Sequence, residues 1–272
     1  MSASSAARLA PYRVEAYNTA KDSENKIHDD SIARKFGFTG GLVPGVDVYA
    51  YMTHLPVQRW GRDWLERGTA ECRFGKPVYD GETATVTARE TPEGLAIEVE
   101  SQGHSCAVGT AALPAEATAP PAVESYRIAP PPADTARPPA SETSLAPGAW
   151  INSRPIPVTP EFAARYLEDL RETDPLYARE GLAHPGLLLR MCNRVLGHNV
   201  VLGPWIHVGS VVRHHGLAHV GETLIARARV AGNYERKGHR FVDLDALVLA
   251  DGRPVAHVLH TAIWLPRQLA AA

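Results

Sequence analysis

Near the start of the chain stands Ser23-Glu24-Asn25-Lys26-Ile27-His28, and Pro44-Gly45 follows sixteen residues after the histidine, at the head of a long apolar stretch. A carboxylate, an amide and an imidazole thus lie within five positions, just ahead of a glycine-rich turn. A turn into a buried helix carries free backbone N–H groups, and such groups stabilise negative charge. Acid and base groups beside these donors are typical of a site that binds and polarises a carbonyl.

The same run resembles the signature of the MaoC-like family, which comprises R-specific enoyl-CoA hydratases and 3-hydroxyacyl dehydratases of the hot-dog fold. That signature reads Asp-x-Asn-Pro-x-His and precedes a helix that opens with His-Gly. Asn25 and His28 match its Asn and His, and Gly45 matches the glycine at the helix start. In that family the Asp and the His position the water that adds to, or leaves from, an enoyl thioester.

Three positions differ from the signature. Ser23 stands where the family has its catalytic Asp, Lys26 replaces the Pro, and Pro44 replaces the His before the glycine. The nearest carboxylates, Asp22 and Glu24, are each one position out of register. If the family's chemistry is retained, Glu24 or a water held by Ser23 must replace the missing acid.

The composition is that of an ordinary globular protein, with 44% apolar residues, 21% charged residues and a net charge of -2. This balance offers no overall field for nucleic acid or an anionic membrane, so we expect neither as a partner. Cys72, Cys106 and Cys192 are an odd number with wide spacing, which argues against a disulfide framework or a zinc site. The first residues lack a signal-peptide pattern, and no apolar stretch is long enough for a bilayer. We expect a cytoplasmic protein without a metal.

A segment rich in proline and alanine divides the chain, and its composition favours extended structure. We interpret 114–142 as a linker between an N-terminal hot-dog module, 1–113, and a C-terminal one, 143–272. The two modules repeat each other, since Gly81-Glu82-Thr83 returns as Gly221-Glu222-Thr223 and Pro44-Gly45 returns as Pro185-Gly186.

Each module shows the same order of predicted elements. A mostly apolar helix, 42–57 or 186–196, precedes strands in which apolar and polar residues alternate after each Gly-Glu-Thr. An earlier strand, 12–17 or 150–158, comes before each helix. A central helix wrapped by an antiparallel sheet is the arrangement of a hot-dog domain, so we predict the α+β class and a double hot-dog fold.

The N-terminal module is predicted to hold the working site. In the C-terminal module the corresponding run is Glu172-Thr173-Asp174-Pro175-Leu176-Tyr177, which has Glu, Asp and Tyr where the family has Asp, Asn and His. Double hot-dog hydratases commonly keep one working site, and this asymmetry resembles theirs. We therefore interpret the C-terminal site as degenerate.

The candidate catalytic residues are His28, Glu24, Asn25 and Ser23. An imidazole with a pKa of about 6.5 exchanges protons near neutrality, so His28 is the general acid and base. Asn25 orients a water or the thioester. We expect an apolar surrounding to raise the pKa of the Glu24 carboxyl and make it a useful base.

The candidate substrate-binding residues are Gly41, Gly45, Phe36, Phe38, Arg34 and Lys35. The N–H groups of Gly41 and Gly45 are placed to stabilise an enolate oxygen. Phe36 and Phe38 are expected to line the pocket and desolvate Glu24. The basic pair Arg34 and Lys35 is one candidate for the phosphates of coenzyme A.

A purely structural interpretation of this region stays open. Asp29 or Asp30 is a suitable helix cap, Asn25 serves a turn, and Gly41 and Gly45 allow tight packing. Two further features are expected to be structural: the histidines His214, His215 and His219 have no ligand spacing, and Cys106 beside His104 is interpreted as a satisfied thiol.

The resemblance implies a lyase that hydrates an enoyl thioester or dehydrates a 3-hydroxyacyl thioester. No cofactor is expected, because coenzyme A or phosphopantetheine is part of the substrate, and an acyl carrier protein is a candidate partner. The alternatives are a hot-dog acyl-thioesterase based on Glu24 and a noncatalytic protein that binds acyl thioesters or small ligands. A fused pair supplies the two-module unit, which fits a monomer or a homodimer.

Overall fold

The protein is described by a computed structural model that covers residues 9–21 and 23–270. Asp22 lies outside the described residues. The first half contains a short strand, three helices and four further strands: β1 (Tyr12–Glu15), α1 (Asp30–Lys35), α2 (Gly45–Trp60), α3 (Arg62–Arg67), β2 (Thr69–Phe74), β3 (Thr83–Thr91), β4 (Gly94–Ser101) and β5 (His104–Ala112). A 3-10 turn, Lys26–His28, precedes α1.

The second half repeats this order with an additional helix before its central one. Its elements are β6 (Trp150–Asn152), β7 (Ile156–Pro157), α4 (Pro160–Asp169), α5 (Leu176–Glu180), α6 (Pro185–Asn199), β8 (Ile206–His214), β9 (Thr223–Arg236), β10 (His239–Ala250), β11 (Arg253–Leu265) and α7 (Arg267–Ala270). The strand predicted over 150–158 is therefore two short strands, and the central helices begin and end within a few residues of the predicted bounds.

Within the described residues, eleven strands form one antiparallel sheet in the order β1-β3-β4-β5-β2-β8-β11-β10-β9-β6, with β7 also paired to β9. The halves join where β2 pairs with β8, with Cys72 opposite Ser210. This junction turns two potential sheet edges into an internal pair, which removes the risk of edge-to-edge association there. The expected α+β class is confirmed.

The central helices pack on each other and on the same face of the sheet. Helix α2 is apolar on most sides, and Tyr49, Tyr51 and Leu55 are almost completely buried. In α6, Leu189 and Val195 are likewise almost completely buried. Burial of one such large apolar side chain contributes roughly 2 kcal/mol to the stability of the fold. Two helices side by side under one sheet leave their N-terminal ends as places where a ligand can approach backbone N–H groups.

The proline-rich segment between the halves contains two 3-10 turns, Val123–Ser125 and Asp134–Ala136. Tyr126 is buried against Leu247 and Leu249, on the side of β10 opposite the main core, and its hydroxyl donates to Asp245. The segment thus packs on the second half. The boundaries at residues 114 and 142 stay predictions.

Candidate functional site

The 3-10 turn that carries His28 is fixed by Asn25. The Asn25 side chain accepts a hydrogen bond from the N–H of Ile27 and so begins the turn. It also bonds the backbone of Trp205 in both directions, donating to the carbonyl at 3.0 Å and accepting from the N–H at 3.2 Å. Because Trp205 belongs to the second half, the turn is attached to both halves.

His28 is largely buried and has a defined tautomer. Its Nδ1 lies 2.7 Å from the carbonyl oxygen of Leu42, and since a carbonyl oxygen can only accept, Nδ1 carries the proton. In the neutral ring Nε2 is then the basic atom, and it lies 3.4 Å from Nδ2 of Asn25. Burial lowers the pKa of His28 below its ordinary value, so the ring is neutral at pH 7.

A cavity of about 280 Å³ opens beside this ring. It extends from the 3-10 turn along the start of α2 to the strands at the junction of the halves. Most of its wall is apolar, and its lining includes Asn25, His28, Phe38, Gly45, Phe74, Lys76, Asn193, Trp205, Ile206, His207 and Ile263. An apolar cavity with a few convergent polar groups is the usual form of a small-molecule site.

The start of α2 brings unused N–H groups to the cavity wall. Pro44 is the N-cap and provides no side-chain acceptor, and among the described residues no hydrogen bond uses the N–H of Gly45 or Val46. A Cβ at Gly45 would lie 3.0 Å from Nδ1 of His207 and 3.3 Å from the Phe74 ring. Glycine is therefore required here for close approach of these two rings.

His207, on β8 of the second half, is a second imidazole in the cavity wall. Its Nε2 lies 2.9 Å from Oγ of Ser210, which in turn lies 3.0 Å from Nδ1 of His260. The two rings stack with centroids 4.1 Å apart. Nδ1 of His207 and Nε2 of His260 have no partner among the described residues.

The chain of bonds through Ser210 couples the tautomers of His207 and His260. Burial lowers the pKa of both rings, to about 3 for His260, so both are neutral. If Nδ1 of His260 donates to Ser210 and Ser210 donates to His207, the unpaired N–H is Nδ1–H of His207, at the cavity wall. In the opposite direction the unpaired N–H is on Nε2 of His260. Only the first arrangement presents a donor to the cavity.

The environment of Glu24 is not the apolar one that the sequence predicts. Its side chain is 78% exposed and forms an ion pair with Arg137, with N–O distances of 2.9 and 3.0 Å. Arg137 lowers the pKa of the Glu24 carboxyl, so the expected rise caused by Phe36 and Phe38 is wrong. Ser23 is half-buried, and its hydroxyl donates to the carbonyl of Asn25 at 3.3 Å.

Of the two phenylalanines that were expected to line the pocket, one serves mainly to pack α1 against its neighbours. Phe36 and Phe38 pack on the small cluster of Ile27, Ala33 and Leu42, and of the two only Phe38 lines the cavity. The carboxylate of Asp29 caps α1, as the structural interpretation expected.

Gly41 does not offer its N–H to a ligand, because that group donates to Oδ1 of Asp30 at 2.7 Å. A Cβ at Gly41 would collide with the carbonyl oxygen of His28, so the glycine serves packing. Arg34 is exposed, donates to the carbonyl of Thr39 and lies 3.8 Å from Asp30. Lys35 is exposed as well, and neither basic residue lines the cavity.

In the second half, Glu172 and Tyr177 stand where the family has its Asp and His, and both side chains are buried. Glu172 and His184 expose 3% and 1% of their side chains, and Nδ1 of His54, from α2, donates to Glu172 at 2.7 Å. Tyr177 packs on the His184 ring, and Tyr12 stacks on His54 at 3.7 Å. A buried carboxylate held by imidazoles and covered by tyrosines connects the halves. Sequence reasoning singled out Glu172 and Tyr177 but not their histidine partners.

Neither a metal site nor a membrane-spanning helix occurs in the described residues. No group of three histidine, cysteine or carboxylate side chains in this part of the chain is arranged to hold a metal ion. No helix between residues 9 and 270, leaving aside Asp22, is long and apolar enough to span a membrane.

Comparison with solved structures identifies the fold. A conserved hypothetical protein from Mycobacterium tuberculosis, described as a double hot-dog fold, superposes with a TM-score of 0.63 at 15% identity, over 96% of each chain. The chain has a double hot-dog fold. A structure described as a MaoC domain protein dehydratase from Chloroflexus aurantiacus gives 0.61 at 10% identity, over 96% of this chain and 95% of that one.

A third similar structure is an N-terminal dehydratase from the difficidin assembly line. It gives a TM-score of 0.54 at 11% identity, over 98% of this double hot-dog chain and 97% of that one. No family model matches the sequence, and no curated protein sequence matches it. The predicted double hot-dog fold is therefore confirmed by structural likeness, and the neighbours include MaoC-like dehydratases.

Proposed function

We propose that this protein is a MaoC-like hydratase or dehydratase that acts on an enoyl or 3-hydroxyacyl thioester. One observation carries the proposal: the basic Nε2 of a neutral, largely buried His28 adjoins an apolar cavity that also reaches the start of α2. A base in a cavity lined by backbone donors suits removal of a proton next to a carbonyl.

Two donors support the thioester oxygen in this proposal. The N–H of Gly45 has no partner within the described part of the chain, and Nδ1 of His207, which is a donor in the proposed tautomer, lies against the same glycine. Negative charge on an enolate oxygen is stabilised by donors that are already oriented and need no rearrangement. The neutral state of His207 keeps its proton available without adding a charge that would need burial.

In the proposed reaction, His28 takes up and then returns the one proton that moves. In dehydration, Nε2 takes the proton from the carbon next to the thioester, and the electron pair moves to the carbonyl oxygen. The enolate then re-forms its carbonyl while the bond between the third carbon and its hydroxyl breaks. The imidazolium returns its proton to that hydroxyl, which leaves as water. Hydration is the same path in reverse.

The proposal and its alternatives differ in what, if anything, takes the place of the family's Asp. Glu24 is held by Arg137 at the surface, which disfavours both a supporting acid role and a thioesterase in which Glu24 activates water. A noncatalytic acyl-thioester binder is favoured by one observation, the serine in place of the Asp. It keeps the cavity but predicts no turnover.

The handle of the substrate is coenzyme A or carrier-bound phosphopantetheine, and a carrier protein is a proposed partner. Cytoplasmic location forms part of the same proposal. The three cysteines are free and buried, which suits a reducing compartment. The two-module unit is compatible with either a monomer or a homodimer.

Steady-state assays with a panel of enoyl and 3-hydroxyacyl thioesters test the proposal. We expect turnover by the wild type and a loss of about 100-fold or more in kcat/KM for His28→Ala, the size of a lost general base. His239→Ala, a histidine remote from the cavity, is the matched control. An unchanged rate in His28→Ala removes His28 from the mechanism. Release of free thiol indicates a thioesterase, and binding without turnover indicates a noncatalytic protein.

A further inference from the structure

A second cavity, of about 440 Å³, lies on the other side of the His28 turn. It shares Asn25, His28 and Asn193 with the first cavity, so the two meet at the imidazole. A ligand whose reactive carbon lies at His28 therefore has room on both sides. Unlike the first cavity, this one is lined by basic side chains: Arg137, Arg154, Arg190, Arg194 and His198.

One face of α6 supplies most of this wall. Arg190, Asn193, Arg194, Gly197 and His198 follow each other at spacings of three and four, which places them on the same side of the helix. The side opposite is formed by the His28 turn and the first turn of α2. Sequence reasoning did not identify this face, since the basic pair that it named, Arg34 and Lys35, lies elsewhere in the chain.

Three of the four arginines are already neutralised. Arg190 pairs with the fully buried Asp47 at 2.7 Å. The other two ion pairs each include one residue of the proline-rich segment. Arg137 pairs with Glu24 at 2.9 Å, and Arg154 pairs with Asp134 at 2.8 Å.

Arg194 is the exception. Among the described residues, no carboxylate and no carbonyl oxygen accepts a hydrogen bond from its guanidinium group, although the side chain is mostly buried. Burial and the neighbouring Arg190 lower the pKa of Arg194, the direction expected for a charge without a counterion. A partly buried guanidinium group without a protein partner, in the wall of a cavity, is where a ligand can complete the pairing.

We propose that Arg194, supported by Arg190, binds a free carboxylate at the far end of the acyl chain, so that the substrate is a monothioester of a short dicarboxylic acid. This inference rests on the proposed thioester chemistry at His28. A guanidinium group matches the two oxygens of a carboxylate with paired hydrogen bonds.

The position of the arginines favours a carboxylate over the phosphates of coenzyme A. Arg190 and Arg194 line the same cavity as the His28 ring, so a ligand that reaches both arginines has its reacting carbon in that cavity as well. The phosphates are separated from the thioester by the whole pantetheine arm, whereas the carboxylate of a four- or five-carbon diacid is only a few bonds away. The apolar cavity then receives the pantetheine arm.

The test uses N-acetylcysteamine thioesters, which lack phosphate, together with the coenzyme A forms. We expect the wild type to prefer the monothioester of a four-carbon unsaturated diacid over the crotonyl thioester. Arg194→Met should lower kcat/KM for the diacid by about 30-fold and leave the crotonyl rate within threefold. Arg194→Lys should retain part of the preference. Arg89→Met, on the exposed face of β3, is the control and should change neither rate.

The other possible results each support or overturn the proposed carboxylate site. Equal loss for both acyl chains overturns the proposal, and a loss confined to the coenzyme A forms assigns Arg194 to phosphate and overturns it too. Calorimetry with the saturated succinyl and butyryl thioesters keeps this inference separate from the proposed reaction. Tighter binding of the succinyl form that disappears in Arg194→Met supports the carboxylate site even if no thioester is turned over. Equal binding of the two contradicts it.

Arg194→Met also carries its own check on folding. Removal of a charge that has no protein partner should not destabilise the protein, so we expect its Tm to equal or exceed that of the wild type. A lower Tm would mean that Arg194 has a structural partner, and it would overturn the assignment.

Discussion

Asn25 and Trp205 are joined by two hydrogen bonds that run in opposite directions between the amide side chain and the backbone. The two residues belong to different halves of the chain, so the second half holds the turn on which the first half presents His28. Their contact makes the site depend on both halves of the chain.

Asn25→Ala should affect stability and activity together. It leaves the Trp205 backbone groups without partners, and we expect the free energy of unfolding to fall by about 2 kcal/mol. The rate should fall as well, because His28 loses its fixed position. Urea unfolding and steady-state assays measure both, and Gln58→Ala, on the exposed end of α2, is the control. A stable Asn25→Ala protein with normal kcat/KM would show that the contact is dispensable.

The pH dependence of the rate follows from the environment of His28. The neutral ring is the proposed base, and burial lowers its pKa below 6.5. Activity is therefore present in full above pH 6.5 and is lost as the pH falls through this lowered value. A profile of kcat/KM from pH 4 to 8 should be flat near neutrality and decline on the acid side. A midpoint above 7 would contradict the assignment.

Much of the fold was predictable because its signals are local and repeated. The alternation after Gly81-Glu82-Thr83 and Gly221-Glu222-Thr223 gave the strands, and Pro44-Gly45 with Pro185-Gly186 marked the helix starts. The placement of His28 next to a cavity also agrees with the motif.

The parts of the site that were missed depend on contacts between distant residues. Glu24 is paired with Arg137, and His207 meets Gly45 across the junction of the halves. Neither pair has a spacing that a local pattern can detect. The environment of Glu24 could therefore not be deduced from its neighbours in the chain, and a phenylalanine nearby in sequence did not desolvate it.

Ser210→Ala tests the proposed donor role of His207. Ser210 does not line the cavity, and in the proposed tautomer its hydroxyl donates to Nε2 of His207 and so keeps the proton on Nδ1. We expect kcat to fall about tenfold with little change in KM, since the donor acts mainly on the developing enolate. Ser210→Thr, which retains the hydroxyl, should recover most of the rate. A change in KM alone, or no recovery by threonine, would indicate that Ser210 only fills space.

Buried neutral histidines also predict acid sensitivity of the fold. The folded state lowers the pKa of His207 and of His260, to about 3 for the latter, so below pH 6.5 the unfolded chain binds more protons. Stability should therefore decrease as the pH falls below 6.5. Urea unfolding at pH 7 and pH 5 measures this, and His260→Phe should reduce the difference. An identical decrease in His260→Phe would assign it to other groups.

Glu172→Gln tests the closed position in the second half. Oε1 of Glu172 accepts from His54 and from the N–H groups of Thr173 and Asp174, each at 2.7 Å. A neutral amide weakens all of these bonds, and we expect a loss of about 3 kcal/mol in the free energy of unfolding at pH 7. The interaction with His184 and His54 lowers the pKa of Glu172 below its ordinary value, despite burial.

The sign of the pH effect distinguishes a charged from a neutral Glu172. Because the folded carboxyl holds its proton more weakly than the unfolded one, its stabilisation is present above pH 4.5 and is lost as the pH falls below that value. Wild type and Glu172→Gln should therefore converge in stability as the pH falls from 4.5 towards 3. Glu168→Gln, an exposed carboxylate on α4, is the control for general charge effects. A constant gap between the two proteins over this range would mean that Glu172 is already protonated at neutral pH.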